Sequence, residues 1–375
     1  MIIEQIDLYH IGQRLVNPFV TSFGREEERQ CLLVAVHGAG LTGWGECVAT
    51  SWPGYSYETT GTAWHILSDF LIPAILDLEF HEPEEISDLF SFVRGHPLAK
   101  AACDQAAWDI TAKRDGLSVA AKLAGPYSEG PRERVKVGVS IGIQPTIDQT
   151  LEVIRRHLEE GYGRIKLKIR PGHDINIARQ VRLAFPELMF MLDANSAYQL
   201  SDASIFQAMD DLNLLMLEQP LDYEDIFDHS RLRQLIKTPL CLDESIHSAN
   251  HARYALAIGA CDIINIKPAR VSGWTEARKV HDICRQAQIP VWCGGMLETG
   301  IGRAGQLALA SLPGFTLPGD ISATERYYVE DIARPSFTLN AEDSTITVPN
   351  KPGLGVEVDR DRLAAVTLRT ETFSA

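Results

Sequence analysis

The sequence predicts an α/β protein: a (β/α)8-type, modified TIM barrel carrying an α+β N-terminal capping domain that the C-terminal tail completes. Three observations predict it. From Val135 onward, short apolar segments alternate with amphipathic segments of helical period, as βα units do. Five of the apolar segments end on a charged residue at nearly constant spacing. The first third of the chain reads differently, strand-like and then helical. A chain of 375 residues has room for a barrel and an attached unit.

The capping domain, 1–130, begins with MIIEQIDLYHI and CLLVAVHG, which alternate like strands, and GAGLTGWGE follows as a turn into another. A polar loop is expected over 17–29. AWHILSDFLIPAIL and LAKAACDQAAWDITAKRDG have helical period, the second stopping at Gly116 after a Lys-Arg pair. In the barrel, 131–324, the strands are VKVGVSIGI, RIKLKI, LMFMLDAN, LLMLEQP, PLCLDES, IINIKPAR and IPVWCGG. FTLPGDI is a final short strand, making eight, or seven without it. The helices include TIDQTLEVIRRHLEEGY, INIARQVRLAF, DASIFQAMDDL, TEARKVHDICRQA and AGQLALASL. The segment 325–375 carries strands in SFTLN and STITVP and is expected to return to the capping domain.

With 35 Lys+Arg against 50 Asp+Glu, the net charge of −15 argues against nucleic acid or an anionic membrane as partner. A small anionic substrate remains compatible where lysines cluster. The seven cysteines are scattered without a Cys-x-x-Cys, which suits reduced thiols better than disulfides or zinc. Glu4 and Asp7 fall where a signal peptide is basic or apolar, and no apolar run approaches the ~18 residues of a membrane span. The expected compartment is the cytoplasm.

The strand-ending charges are Lys168, Asp193, Glu218, Asp243 and Lys267, at intervals of 25, 25, 25 and 24 residues. Functional groups of a parallel barrel gather at the C-terminal ends of its strands. A charge there is costly unless paired or ligated. Singly, each carboxylate would serve as a helix cap. In register, Asp193, Glu218 and Asp243 converge as hard oxygen ligands suited to Mg²⁺, with Mn²⁺ or another divalent ion as substitute. Lys168 and Lys267 flank them, one unit before and one after, so two amines face a bound substrate from opposite sides. Lys166 shares the inward face of Lys168, and the like charge should lower the amine pKa toward that of a better base. This set suits removal of a proton α to a carboxylate, where charge developing on the oxygens needs electrostatic stabilisation.

The motifs Lys166-x-Lys168, Asp193-Ala-Asn195, Glu218-Gln-Pro, Asp243-Glu244-Ser and Lys267-Pro-Ala-Arg270 resemble the muconate-lactonizing subgroup of the enolase superfamily. GWGE at 43–46 resembles its capping domain. VSIGIQP (139–145), EEGYGRIKLKIRPG (159–172), VWCGGMLETGIGR (291–303) and FTLPGDIS (315–322) closely resemble the o-succinylbenzoate synthase family, which includes N-acylamino acid and N-succinylamino acid racemases. The resemblance spans nearly the whole chain. It implies Lys168 as base in both reactions. Lys267 becomes the opposite-face acid/base in racemisation and a cation over the intermediate in the synthase reaction. Asp193, Glu218 and Asp243 become Mg²⁺ ligands. Ser140, Lys166, Asn195, Gly295 and Met296 become substrate contacts, supported by Glu244, and Arg270 tunes or orients Lys267. The implied activity is a Mg²⁺-dependent dehydration in menaquinone biosynthesis. The alternative is racemisation of N-acylamino acids in the same site, and a further one is cycloisomerisation or dipeptide epimerisation. A homo-oligomer is also implied. Such relatives carry His-Asn where this chain has Gly305-Gln306.

Three weaker signals complete the reading. Gly300-x-Gly302-x-x-Gly305 matches the dinucleotide fingerprint, but six residues separate it from the preceding strand. Close packing, with the amides donating to an anionic substrate, is expected instead. His247 and His251 read as a helix-surface pair. The segments 17–29 and 50–57, carrying Phe19, Phe23, Trp52 and Tyr55, are expected to cover the barrel mouth and exclude water, with Phe19, Phe23 and Tyr55 touching the substrate's variable part. Arg25 is a candidate for a distal carboxylate.

Overall fold

Alternating apolar residues make β1 (Gln5–Val20) and β2 (Arg25–Gly38) an antiparallel hairpin. The structure, a computed structural model, describes residues 1–374. The pairing runs out to Phe19↔Glu26 and Val20↔Arg25, past a register shift between Arg14 and Phe19. The loop expected over 17–29 is therefore a hairpin tip with a turn at 21–24. Its polar side chains leave the backbone ladder intact. β3 (Leu41–Cys47) pairs with β2 and lies on the helix Pro97–Arg114. Gly43 and Gly45 permit that approach: a Cβ at either would collide with the carbonyl oxygens of Ala106 or Ala102. The small buried face Ala99, Ala102, Ala106 of this helix is the other half of the fit.

Seven parallel strands follow in sequence order: β4 (Val139–Ile141), β5 (Arg164–Lys168), β6 (Met189–Asp193), β7 (Leu217–Glu218), β8 (Leu240–Leu242), β9 (Ile263–Ile266) and β10 (Val291–Cys293). Both faces are covered, which is why they read as continuous apolar runs. Met191, Met216, Cys241, Ile263 and Trp292 form a cluster apart from the helix-facing core. The segment FTLPGDI is not a regular strand. Phe315 bridges Val291, Gly319 bridges Val137, and Asp320 N donates to the Cys293 carbonyl at 2.9 Å. Pro318 has no N–H to continue a ladder. DASIFQAMDDL is also broken, its only α-helical part being Ala203–Gln207. There Asp210 accepts hydrogen bonds from the backbone of Lys237 and Thr238, both at 2.9 Å.

In the tail, Thr345–Thr347 pairs antiparallel with Arg134–Lys136. SFTLN forms no strand, only a bridge from Asn340 to Thr345. After the helix Arg360–Val366, β11 (Thr367–Ser374) pairs with β1, giving a four-stranded sheet in the order β11-β1-β2-β3.

Two capping-domain carboxylates hold barrel helices by their N-termini. Asp104 accepts from Trp274 N at 2.6 Å and Thr275 Oγ1 at 2.5 Å. Glu46, the acid of GWGE, accepts from Thr299 N, Thr299 Oγ1 and Gly302 N at 3.1, 2.7 and 2.9 Å. The glycine motif is thereby explained. The Gly302 amide serves Glu46 and the Gly300 amide serves Asp331, at 2.9 Å, rather than a substrate; a Cβ at Gly302 would press on Glu46 and Glu298, and one at Gly305 would strike Trp274. Gln306 donates to the Gly294 carbonyl at 3.0 Å. Burial pushes the carboxyls of Glu46 and Asp104 up to about 7. All seven cysteines are buried and unbridged. Among the described residues, no helix is long and apolar enough to cross a membrane.

Candidate active site

β5 sends Lys166 and Lys168 to one face because strand side chains alternate. With Lys267, which follows β9, they line a cavity of about 90 Å³ at the C-terminal ends of the strands. Ser140, Asn195, Gly295 and Met296 line it too. Phe19 and Phe23 reach it from the hairpin, and Trp52 and Tyr55 from the 50–57 segment. The two segments interlock, with Phe23 ring centroids 5.9 Å from Trp52 and 6.4 Å from Tyr55. The Ser140 hydroxyl is buried without a hydrogen-bond partner.

The lysines stand on carboxylates. Lys168 Nζ donates to Asp193 Oδ2 at 2.6 Å and to Asn195 Oδ1 at 2.8 Å. Lys166 Nζ lies 3.1 Å from Asp193, 3.0 Å from Glu218 and 2.5 Å from Asp320, with the Trp292 ring 4.9 Å away. Lys267 Nζ donates to Asp243 Oδ2 at 2.7 Å and to the Tyr55 hydroxyl at 3.1 Å. Tyr55 in turn donates to Asp243 Oδ1 at 3.3 Å.

Asp193, Glu218 and Asp243 are each 0% exposed. The expected ring of three carboxylates is not formed: among the described residues no three His, Cys, Asp or Glu side chains gather to hold a metal. Asp193 and Glu218 share Lys166, whereas Asp243 turns to Lys267, Tyr55 and Arg270. The donor set still fits a hard divalent cation. Burial and the Asp193 charge raise the Glu218 carboxyl above the usual range, and Glu244 is pushed up to about 7 by the same two causes. A cation would relieve that repulsion.

The electrostatics correct one expectation. Burial, more than the neighbouring lysine, lowers the Lys168 amine below its ordinary value. Burial opposes charge on Lys166 as well, but Asp320, Glu218 and Asp193 outweigh it and hold that amine above the usual range. Lys267 is held up likewise, against burial, by Tyr55, Glu244, Glu218 and Asp193.

Arg270 differs from its expected part. It contacts Asp243 rather than Lys267, and its Nε donates to the Ile246 carbonyl at 2.7 Å. Glu244 accepts from Asn195 Nδ2 at 2.9 Å. His247 precedes the N-cap Ser248, so the two histidines do not share a helix face; His251 Nδ1 accepts from His247 N at 3.2 Å. Sequence reasoning missed Arg164, which donates to Asp320 Oδ1 at 2.5 Å, and Asn265, which donates to Glu218 Oε1 at 2.7 Å. Both were findable, standing two residues before Lys166 and Lys267 on the same face. Arg29, buried in the cavity wall 3.2 Å from Glu26, was hidden in the expected loop.

Fold and site together define a class: capped-barrel enzymes whose strands end in amines and carboxylates around one cavity. Residues 5–125 match the mandelate racemase/muconate lactonizing enzyme N-terminal domain, and residues 149–362 match the enolase C-terminal domain-like family. The chain belongs to the mandelate racemase/muconate lactonizing enzyme family of the enolase superfamily. It is 47% identical to an o-succinylbenzoate synthase of Geobacillus kaustophilus, covering 99% of this chain and 97% of that protein. It is 46% identical to an N-succinylamino acid racemase of Amycolatopsis, covering 98% of each. A crystal structure of an enolase-superfamily member from Listeria innocua superimposes with a TM-score of 0.94 at 39% identity, covering 100% of both chains.

Proposed function

We propose that this chain is an o-succinylbenzoate synthase, dehydrating 2-succinyl-6-hydroxy-2,4-cyclohexadiene-1-carboxylate in menaquinone biosynthesis. The observation that carries the reading is that Lys168 and Lys267, from separate strands, line one cavity together with Lys166 at the C-terminal ends of the strands. The synthase relative at 47% identity supports it.

Lys168, shifted toward the neutral amine, takes the α-proton. Lys267, kept charged, stands as a cation beside the electron-rich intermediate while the C–O bond breaks, the electron pair of the former Cα–H bond forms the new double bond, and the hydroxyl leaves as water with the proton that Lys168 took. Lys166, also kept charged, holds the substrate carboxylate, with the unpartnered Ser140 hydroxyl as a further donor. A divalent cation, Mg²⁺ or Mn²⁺, held by Asp193, Glu218 and Asp243, would stabilise the negative charge that develops on that carboxylate. The aromatics of the two covering segments exclude water.

A second reading, racemisation of N-succinyl or other N-acylamino acids, is favoured by Lys267 across the cavity and by the racemase relative at 46% identity. There Lys168 removes the α-proton and Lys267 returns one to the other face. In either reading the enzyme works in the cytoplasm as a homo-oligomer, which fractionation and sedimentation test. The main experiment pairs a dehydration assay with ²H uptake by N-succinylamino acids in D₂O, with and without Mg²⁺. Elimination or α-exchange that needs the cation is expected. Neither activity on any carboxylate would overturn the mechanism.

A further inference from the structure

The tail meets the capping domain around a cavity of about 730 Å³ that shares no residue with the catalytic one. Thr42 and Trp44 of β3 and Lys113 of the helix Pro97–Arg114 form one wall. The tail forms the other, from 334–336 and from the stretch between Lys351 and Arg360. Those two pieces are joined where Ala333–Arg334 pairs antiparallel with Glu357–Val358. Behind the cavity, Asp109 holds the walls together. It is 0% exposed, accepts from Trp44 N and Leu354 N, both at 2.8 Å, and pairs with Lys113 at 2.7 Å. Gly353, at φ +72°, permits this approach, since a Cβ there would collide with Asp109. The cavity is therefore preformed, as small-molecule sites usually are.

Four cations line it, Lys113, Arg334, Lys351 and Arg360, against one carboxylate, Glu357. In a chain of net charge −15 this is a local reversal of sign. Lys113 is committed to Asp109. Arg334 pairs with Asp359 at 2.8 Å, but its side chain is 65% exposed and the pair has small energetic weight. Among the described residues, Lys351 and Arg360 have no ion-pair partner within 4.0 Å. Arg360 lies over the Trp44 ring, 4.7 Å from its centroid, which orients the guanidinium without neutralising it. Pro335, Pro352 and Val356 add an apolar side to the same cavity.

We propose that this cavity binds an organic oligophosphate, a small molecule carrying two or more linked phosphates on a ring-bearing or apolar body. The site lies outside the catalytic cavity and depends on neither reaction proposed above. Cations brought together from a capping-domain helix and two stretches of the tail call for more negative charge than one carboxylate carries. Linked phosphates supply it, with oxygens for the arginine forks and for the lysine ammonium. The apolar side takes the body of the molecule. A ligand held between tail and capping domain binds only the folded chain, so it raises the melting temperature.

The test is calorimetric titration of the full chain with ADP, in EDTA so that no divalent cation carries the phosphates to the catalytic carboxylates. The comparison is Arg334→Gln/Lys351→Gln, which changes two exposed residues. Thermal melts show that it folds, and Lys351→Gln alone takes its place if it does not. ADP is expected to bind the parent, more weakly as salt rises, and at least tenfold more weakly in the double variant. AMP, with one phosphate fewer, is expected to bind at least tenfold more weakly than ADP. Pyrophosphate binding as tightly as ADP, with the same loss in the variant, supports the site and assigns recognition to the phosphates alone. No binding of ADP or pyrophosphate overturns the proposal, as does ADP binding equally to parent and folded variant. Citrate binding as tightly as ADP identifies a general polyanion site and also overturns it.

Discussion

Lys166 and Lys168 stand two positions apart on one strand and meet opposite fates. Lys166 has three carboxylates around its amine, so attraction defeats burial. Lys168 has one carboxylate and one amide oxygen, and burial prevails. The base and the anchor of the proposed mechanism thus arise from the same residue type by counting neighbours. Asp320 is central to that difference, since it alone joins Lys166 to the buried Arg164. Asp320→Asn leaves Arg164 without its carboxylate, and breaking a buried pair costs about 3–5 kcal/mol. Urea unfolding should show a loss of that order, and KM for the carboxylate substrate should rise; an unchanged midpoint contradicts the assignment. The pattern of charges at strand ends was legible because one βα unit recurs every 24 or 25 residues. The pairing of Asp320 with Arg164 was not, because the two meet across 156 residues through the irregular closure of the barrel.

Among the elements, helix caps connect the two domains. Glu46 and Asp104 leave the capping domain to satisfy N-terminal amides of barrel helices. Glu46→Ala should cost about 1–3 kcal/mol, because it leaves those buried donors unpartnered. Denaturant midpoints measure it, and a neutral substitution would show that the cap carries no load. The barrel strands were readable because burial on both faces makes them uniformly apolar. The eighth segment stayed open between strand and none because Pro318 sits in an otherwise strand-like run. The hairpin tip was misread because polar composition conceals a backbone ladder set by register with β1. GWGE was recognisable as a motif, but its physical reason, two glycines under a helix and an acid reaching a second helix, needed the tertiary structure.

At the scale of the whole molecule, buried carboxylates make stability depend on pH. Glu46, Glu58 and Asp104 are each pushed up to about 7 by burial, from ordinary values of 4.5, 4.5 and 3.8. Between those limits these groups bind more protons in the folded chain than in the unfolded one, which lowers stability as pH rises. Asp320, held down to about 2, acts in the opposite sense only at lower pH. Histidines with lowered pKa, His229 and His247 down to about 4 among them, act in the opposite sense over much of the same range, so the test is differential: the melting temperature of the parent minus that of Asp104→Asn should decline from about pH 5 to about pH 7.5, and a difference that does not change with pH contradicts it. The −15 total likewise conceals a cavity lined by three lysines. The most direct test of that two-amine site is ²H incorporation at Cα of each enantiomer of an N-succinylamino acid in D₂O. Lys168→Ala should abolish exchange of one enantiomer together with the dehydration, and Lys267→Ala should abolish exchange of the other. Exchange of both enantiomers persisting in Lys168→Ala would contradict the account.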